Sequence, residues 1–314
     1  MPTESPLPVV FLMGPTAAGK TRLALALCKR MPCEIISVDS AMVYRGLDIG
    51  TDKPPPEVLR RHPHRLVDIC DPAEPYSAGR FRRDALSCIA AALRAGRLPL
   101  LVGGTGLYFR SLTRGLSRLP AASPQVRERL AREARLRGWP ALHRRLRAAD
   151  PETARRVHPH DRQRIQRALE VWEASGRPLS ELQRRAPPAP PEFRPLRLIV
   201  APSDRQWLYR RIENRFQTML ERGLVDEVRA LRARSGLSPG LPALRLAGYR
   251  QVWRYLQGEL RYGEMQAAAI AATRQIAKRQ LTWLRSETEA LRFDSCRCDL
   301  QDSVLARLAA AGGR

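Results

Sequence analysis

The stretch Val9-Val10-Phe11-Leu12-Met13-Gly14-Pro15-Thr16-Ala17-Ala18-Gly19-Lys20-Thr21 decides the fold. Its apolar run, Val9 to Met13, stops at Gly14, and residues 22–30 (R-L-A-L-A-L-C-K-R) read as a helix. A strand, then G-x-x-x-x-G-K-T, then a helix is the setting of a phosphate-binding loop. The glycines let the chain curl around an anion, and the backbone N–H groups turn inward as a nest. The helix N-terminus adds its dipole, Lys20 adds a point charge, and the Thr21 hydroxyl can ligate Mg²⁺. Gly14, Pro15, Thr16, Ala17, Ala18, Gly19, Lys20 and Thr21 are therefore the candidate phosphate-binding residues. The loop alone does not say whether the ligand is a diphosphate or a triphosphate, or what is done with it.

The charge narrows the partner. In 314 residues, 55 Lys and Arg stand against 31 Asp and Glu, a net charge of +24. Only Lys20, Lys29, Lys53 and Lys278 are lysines. A preference for arginine over lysine says nothing about function, but the shortage of acids does. A surplus of this size fits a polyanion, and nucleic acid fits better than a membrane because no amphipathic terminal anchor is evident. No apolar run approaches membrane-spanning length, and the start M-P-T-E-S-P-L-P lacks the plan of a signal peptide. The six cysteines show no paired C-x₂-C spacing, and Cys296-x-Cys298 has no histidines nearby, so they read as thiols in a reducing compartment. A cytoplasmic protein is expected.

Working outward, E-I-I-S-V (34–38) is a second short strand that ends at Asp39. Ligands of open α/β sheets gather at the carboxyl ends of strands, so Asp39 shares a rim with the phosphate loop. It can be a general base or a metal ligand there, or simply a turn aspartate. A strand within 63–72 follows, then a helix over 76–96 with Phe81, Ala85, Ile89 and Ala92 at helical spacing. The strand L-P-L-L-V (98–102) runs into Gly103-Gly104-Thr105-Gly106. Strand, loop and helix thus alternate from 9 to about 112, the pattern of a parallel sheet with helices on its faces.

Between 119 and 183 strand signals vanish and arginine is dense. Ser123 and Asp150 read as helix caps, each followed by a proline at the first helical position, and Asp161 reads as the start of a third helix. Its apolar stripe is Ile165, Ala168, Leu169 and Trp172, which leaves Gln163, Arg164, Gln166 and Arg167 for solvent or for a phosphate backbone. A Pro-rich linker spans 184–195, and L-R-L-I-V-A (196–201) returns to the sheet. Helix 205–220 turns Leu208, Ile212, Phe216 and Met219 inward and carries Arg211 and Arg215 as neighbours off that face. Helix 263–285 carries a basic edge of Arg274, Lys278 and Arg285, and the tail from 294 on is weakly specified. The expected fold is α/β, a P-loop NTPase-like parallel sheet flanked by helices. Residues 1–118 and 196–314 form the core, and 119–183 form an inserted all-helical domain.

Together these stretches resemble the tRNA dimethylallyltransferases, the isopentenyl-diphosphate:tRNA transferase family. The likeness runs through G-P-T-A-A-G-K-T (14–21), I-S-V-D-S-A-M-V-Y (36–44), D-I-G-T-D-K-P (48–54), L-V-G-G-T-G-L-Y (101–108), R-A-L-E-V (167–171), R-L-A-G-Y-R-Q (245–251) and A-T-R-Q-I-A-K-R-Q-L-T-W-L-R (272–285). That family moves a dimethylallyl group from dimethylallyl diphosphate to N6 of the adenosine 3′-adjacent to the tRNA anticodon, with Mg²⁺. The resemblance implies that Gly14–Thr21 holds a diphosphate leaving group, with Thr21 on the Mg²⁺. It further implies that Thr16 orients the diphosphate, that Arg215 stabilises its charge, and that Asp39 takes the proton of the N6 amine. Implied tRNA contacts are Asp39, Ser40, Ala41, Met42, Thr105, Arg127, Gln163, Arg164, Ile165, Gln166, Arg167, Arg245, Leu246, Ala247, Gly248, Tyr249 and Arg250. To these are added Lys278, Arg279, Gln280, Leu281, Thr282, Trp283, Leu284 and Arg285. The arginine-rich insertion would then embrace the anticodon stem-loop. The sequence lacks the C-terminal zinc finger of eukaryotic members and resembles the bacterial, cytoplasmic form, expected to act as a monomer.

Two other readings use the same loop: a small-molecule or nucleotide kinase, and a nucleic-acid-binding NTPase. Both want ATP, and the strand at 98–102 ends without the acidic residue such enzymes place there.

Overall fold

In the computed structural model, which describes residues 8–117, 119–121, 123–185 and 193–312, the first apolar run is strand β1 (Pro8–Met13). Successive side chains point to opposite faces. Val9, Phe11 and Met13 enter one apolar layer, and Val10 and Leu12 enter another. A strand covered on both faces needs apolar residues throughout, which explains the lack of alternation.

The chain continues as α1 (Lys20–Cys28), β2 (Cys33–Val38), α2 (Pro56–Arg61), β3 (His64–Arg65), α3 (Ala78–Arg94), β4 (Leu98–Gly103) and α4 (Gly106–Arg114). Five helices follow: α5 (Pro124–Arg137), α6 (Trp139–Ala149), α7 (Pro151–Arg156), α8 (Arg162–Ser175) and α9 (Leu179–Arg185). The chain then forms β5 (Arg194–Ala201), α10 (Arg205–Glu221), α11 (Leu224–Ala233), α12 (Tyr249–Leu256), α13 (Tyr262–Arg285), β6 (Leu291–Asp294) and α14 (Leu300–Gly312). Two compact units result, Met1–Thr113 with Pro191–Arg314, and Arg114–Pro190.

In the first unit the strands pair in the order β3-β2-β4-β1-β5-β6, all parallel. Leu12 sits between Val102 of β4 and Leu198 of β5, so β1 is interior. Helices α3, α10, α11, α12 and α13 contribute to the layer holding Phe11, with Phe81, Ala85 and Ile89 buried on α3 as the spacing predicts. The opposite layer joins Leu23, Ala24 and Leu27 of α1 to Val304 and Leu308 of α14.

The expected strand within 63–72 is present but only two residues long, at the sheet edge. Before it the chain forms α2, with Pro56 in the first turn, where a missing N–H is harmless. One expectation needs correction: the tail from 294 on is not weakly specified, since it carries α14, whose Val304 and Leu308 are core residues. Of the 184–195 linker, 184–185 close α9 and 194–195 open β5. Residues 186–192 lie outside the described residues.

The second unit is helical, built on Leu130, Leu142, Leu146, Ile165, Ala168 and Leu169. Ser123, Asp150 and Asp161 cap α5, α7 and α8 by accepting from the N–H of Val126, Thr153 and Arg164. Asp150 is buried, yet it also accepts from the Thr153 hydroxyl at 2.7 Å and from the Ser180 N–H and hydroxyl at 3.0 and 2.8 Å. Burial alone would raise its pKa, but these hydrogen bonds outweigh it and hold the carboxyl below its ordinary value.

Candidate active site

The phosphate loop joins β1 to α1. Ala17 and Gly19 take left-handed backbone angles, φ 63° and 86°, which turn the chain back toward the helix start. A Cβ at Gly14 would lie 2.2 Å from the Val200 carbonyl oxygen, so only glycine lets β1 leave the sheet there. The Lys20 ammonium donates to the Pro15 carbonyl at 2.7 Å and so lies across its own loop. Desolvation lowers its pKa to about 8, with Asp39 pulling it up and Arg215 pushing it further down.

Two arginines of α10 converge on this loop. Arg211 donates to the Ala17 carbonyl at 2.9 Å and stacks on Trp207, its guanidinium 4.7 Å from the ring centre. Arg215 donates to the Thr16 hydroxyl at 3.0 Å and to the Thr51 carbonyl at 3.4 Å, and pairs with Asp52 at 3.2 Å. The expected neighbours thus share one target. Their apolar companions Leu208, Ile212, Phe216 and Met219 are buried, which fixes the direction of the polar face.

Asp39 follows β2 on the same rim. Its Oδ1 accepts from the Ala41 N–H at 2.8 Å, so the turn aspartate of the plainer reading is real. Asp39 also lines a cavity of about 300 Å³, shared with Thr16, Ser40, Thr105, Arg215 and Gln280. Thr105 accepts from the Ser40 N–H at 3.3 Å, tying the turn after β4 to the turn after β2.

The residues expected to meet tRNA divide by exposure. In the core unit, Ser40, Arg245, Arg250, Lys278, Arg279, Thr282 and Arg285 are exposed, and Ala41 and Met42 are half-buried. Leu246, Ala247 and Gly248 line the cavity. Tyr249 and Leu284, expected as contacts, are buried in the core. Tyr249 donates its hydroxyl to Glu227 at 2.6 Å, and burial, then Glu227, raises its pKa. Leu281 packs on Leu208, Ile212 and Ala277. Trp283 packs against Phe109 with the rings tilted by 30°, and a Cβ at Gly106 would lie only 2.7 Å from its ring. Arg274 is not free for a backbone contact either, since it pairs with Glu213 at 3.1 Å and stacks on Tyr209.

In the helical unit, Gln163 and Arg164 of α8 are exposed and Ile165 is buried. Gln166 donates to the Arg127 carbonyl at 3.2 Å. Arg127 grips the buried Glu170 with two hydrogen bonds, 2.9 and 3.2 Å, and Arg167 reaches the same carboxylate at 3.6 Å. Arg127 is therefore first a structural partner.

Glu227 is the residue that the sequence reading missed. Its carboxylate accepts from the N–H groups of Asp48, Ile49 and Gly50 at 2.9, 2.7 and 3.2 Å, as well as from Tyr249. It hangs the 48–50 loop in place, and Thr51 and Asp52 of that loop meet Arg215. Nothing in the sequence marks it beyond a place in the first turn of α11, where acids commonly sit.

A match to the IPP transferase family covers residues 42–287. The tRNA dimethylallyltransferase of Thioalkalivibrio sulfidiphilus is 58% identical over 91% of this chain and 89% of its own length. That of Coxiella burnetii is 54% identical over 97% and 98%. Among solved structures, the tRNA isopentenylpyrophosphate transferase of Bacillus halodurans aligns with a TM-score of 0.69 at 34% identity, over 96% of this chain and 95% of that one. A eukaryotic dimethylallyltransferase crystallised acting on tRNA aligns with a TM-score of 0.78 at 25% identity, over 95% and 77%. None of these relatives is named a kinase, and with the phosphate loop, the Asp39 rim and the flanking turns in place, the chain belongs to the IPP transferase family.

Proposed function

We propose that the protein transfers the dimethylallyl group of dimethylallyl diphosphate to N6 of the adenosine 3′-adjacent to the anticodon of tRNA. The observation that carries this reading is one cavity lined together by Thr16, Arg215, Asp39 and Thr105. The residues of Gly14–Thr21 hold the diphosphate, Lys20 balances its charge, and Thr16, braced by Arg215, orients it. The adenine leaves its stack to enter the cavity. The N6 lone pair forms a bond to the allylic carbon, and the carbon–oxygen bond breaks with its electron pair departing on diphosphate. The N6 proton passes to Asp39, whose turn hydrogen bond keeps the carboxylate in place. Arg215 and the loop N–H groups stabilise the charge that accumulates on the leaving group.

The donor set fits Mg²⁺: the Thr21 hydroxyl is a hard oxygen at the start of α1, and this ion takes most of its ligands from substrate phosphates and water. Held by Thr21, Mg²⁺ would supply further charge neutralisation on the leaving diphosphate.

The exposed cations Arg245, Arg250, Lys278, Arg279 and Arg285, and in the insertion Arg164, offer phosphate contacts to the anticodon stem-loop. The insertion, residues 119–183, is by this reading the tRNA-binding domain of a cytoplasmic monomer. Purified protein, unmodified tRNA and labelled dimethylallyl diphosphate, with and without Mg²⁺, test the reading. Label is expected on tRNA adenosine, and a tRNA that stays unlabelled while ATP is consumed overturns it.

A further inference from the structure

Gln280 lies on α13, among residues first expected to touch tRNA, but its side chain is committed elsewhere. Its Oε1 accepts from the Thr16 N–H at 2.8 Å, and its Nε2 donates to the Gly104 carbonyl at 3.1 Å. We propose that Gln280 is a positioning residue: its amide ties the first turn of the phosphate loop to the Gly103–Gly106 turn and so presets Thr16 for the diphosphate.

The orientation of that amide follows from its partners. Thr16 offers a donor and Gly104 an acceptor, so oxygen must face the loop and nitrogen the turn. Among the side chains of this length, only a carboxamide supplies one of each. Glutamate supplies two acceptors: one oxygen would oppose the Gly104 carbonyl, and a negative charge would stand next to the anion site. The surroundings are shaped to the same contact. A Cβ at Gly104 would lie 2.3 Å from Gln280 Nε2, and one at Gly106 would lie 2.7 Å from Trp283, three residues further along α13. The helix thus presses two side chains into the turn at positions where only glycine fits. Thr16 is held from both sides, its N–H by Gln280 and its hydroxyl by Arg215. A loop fixed in its bound shape loses less freedom on binding, and the gain appears in ligand affinity.

The proposal rests on the diphosphate reading of the loop, so the main measurement needs no transfer reaction. Binding of inorganic diphosphate with Mg²⁺ is measured by calorimetry on the full chain, together with tRNA binding and thermal melting. Q280M keeps the length of the side chain and removes both hydrogen bonds. It is expected to weaken diphosphate binding about 10-fold while tRNA affinity stays within about two-fold. Q280E should weaken diphosphate more than Q280M does. In the transfer assay the loss should fall on KM for dimethylallyl diphosphate, with kcat little changed. A fall in tRNA affinity with diphosphate binding intact makes Gln280 a tRNA contact and overturns the proposal. So does a uniform loss of binding and melting temperature, or no change at all. If wild-type protein binds diphosphate but labels no tRNA, the prenyl-transfer reading fails while this one stands.

Discussion

Asp39 holds a turn with one oxygen and borders the cavity, and the turn can be separated from the proposed proton transfer. Asparagine keeps a carbonyl oxygen for the Ala41 N–H but cannot take a proton. D39N should therefore leave tRNA affinity intact and lower the single-turnover rate about 10²–10⁴-fold, the usual range for a lost general base. An unchanged rate would reduce Asp39 to its turn. Lys20 supplies a second residue-level prediction. Its ammonium is depressed to about pKa 8 by desolvation in the free protein, and a bound diphosphate restores its preference for the charged form. Free protein releases this proton as pH rises through about 8, whereas the complex retains it. Affinity for diphosphate should thus fall above about pH 8, with proton uptake on binding in that range. Calorimetry in buffers of different ionisation enthalpy reads both. The sequence announced Lys20 and Thr16 because a phosphate loop is built from neighbours in the chain. It could not announce the contacts of Glu227, Asp52 or Gln280, because each reaches a segment far away in sequence.

At the scale of elements, apolar spacing was the reliable guide. The stripes of α3 and α10 lie where helical periodicity puts them, since α3 packs one face on β2 and β4 and α10 packs one on α11 and α13. Polar faces were harder to read, because exposure and pairing depend on neighbouring elements. On α8, Arg164 is exposed and among the described residues pairs only with its own cap, Asp161, at 3.4 Å, whereas Arg167 and Arg127 both bind buried Glu170. R164A should weaken tRNA binding and reduce the slope of log K against log salt by about one, without loss of stability. R127A should instead cost about 1–2 kcal/mol in denaturant unfolding. That is less than the figure for a fully buried pair, because the Arg127 side chain is more than half exposed. Equal effects of both on the salt slope would mean that Arg127 also reaches phosphate. The end of the chain was misread for a related reason. Helix α14 carries no marked amphipathic pattern, and its place in the core is set by α1 on the same face of the sheet.

For the whole molecule, the parallel sheet was legible because strands buried on both faces are apolar without interruption. The strand order was not, since pairing in a parallel sheet is decided by crossovers, and β1 finds its neighbours in β4 and β5. The net charge of +24 pointed to a polyanion from the composition alone. Which arginines are spent inside the protein became visible only with the ion pairs that hold Glu34, Glu170 and Glu173.

The two braces on Thr16 have a consequence for how the protein is made. Arg215 and Gln280 lie 199 and 264 residues beyond it. Synthesis proceeds from the N-terminus at about 5–20 residues per second, so the phosphate loop emerges before either of its braces. For that interval the nascent chain carries the loop without the side chains that hold Thr16. The final shape of the loop is thus acquired only after α10 and α13 have been made, rather than being a property of the loop residues by themselves.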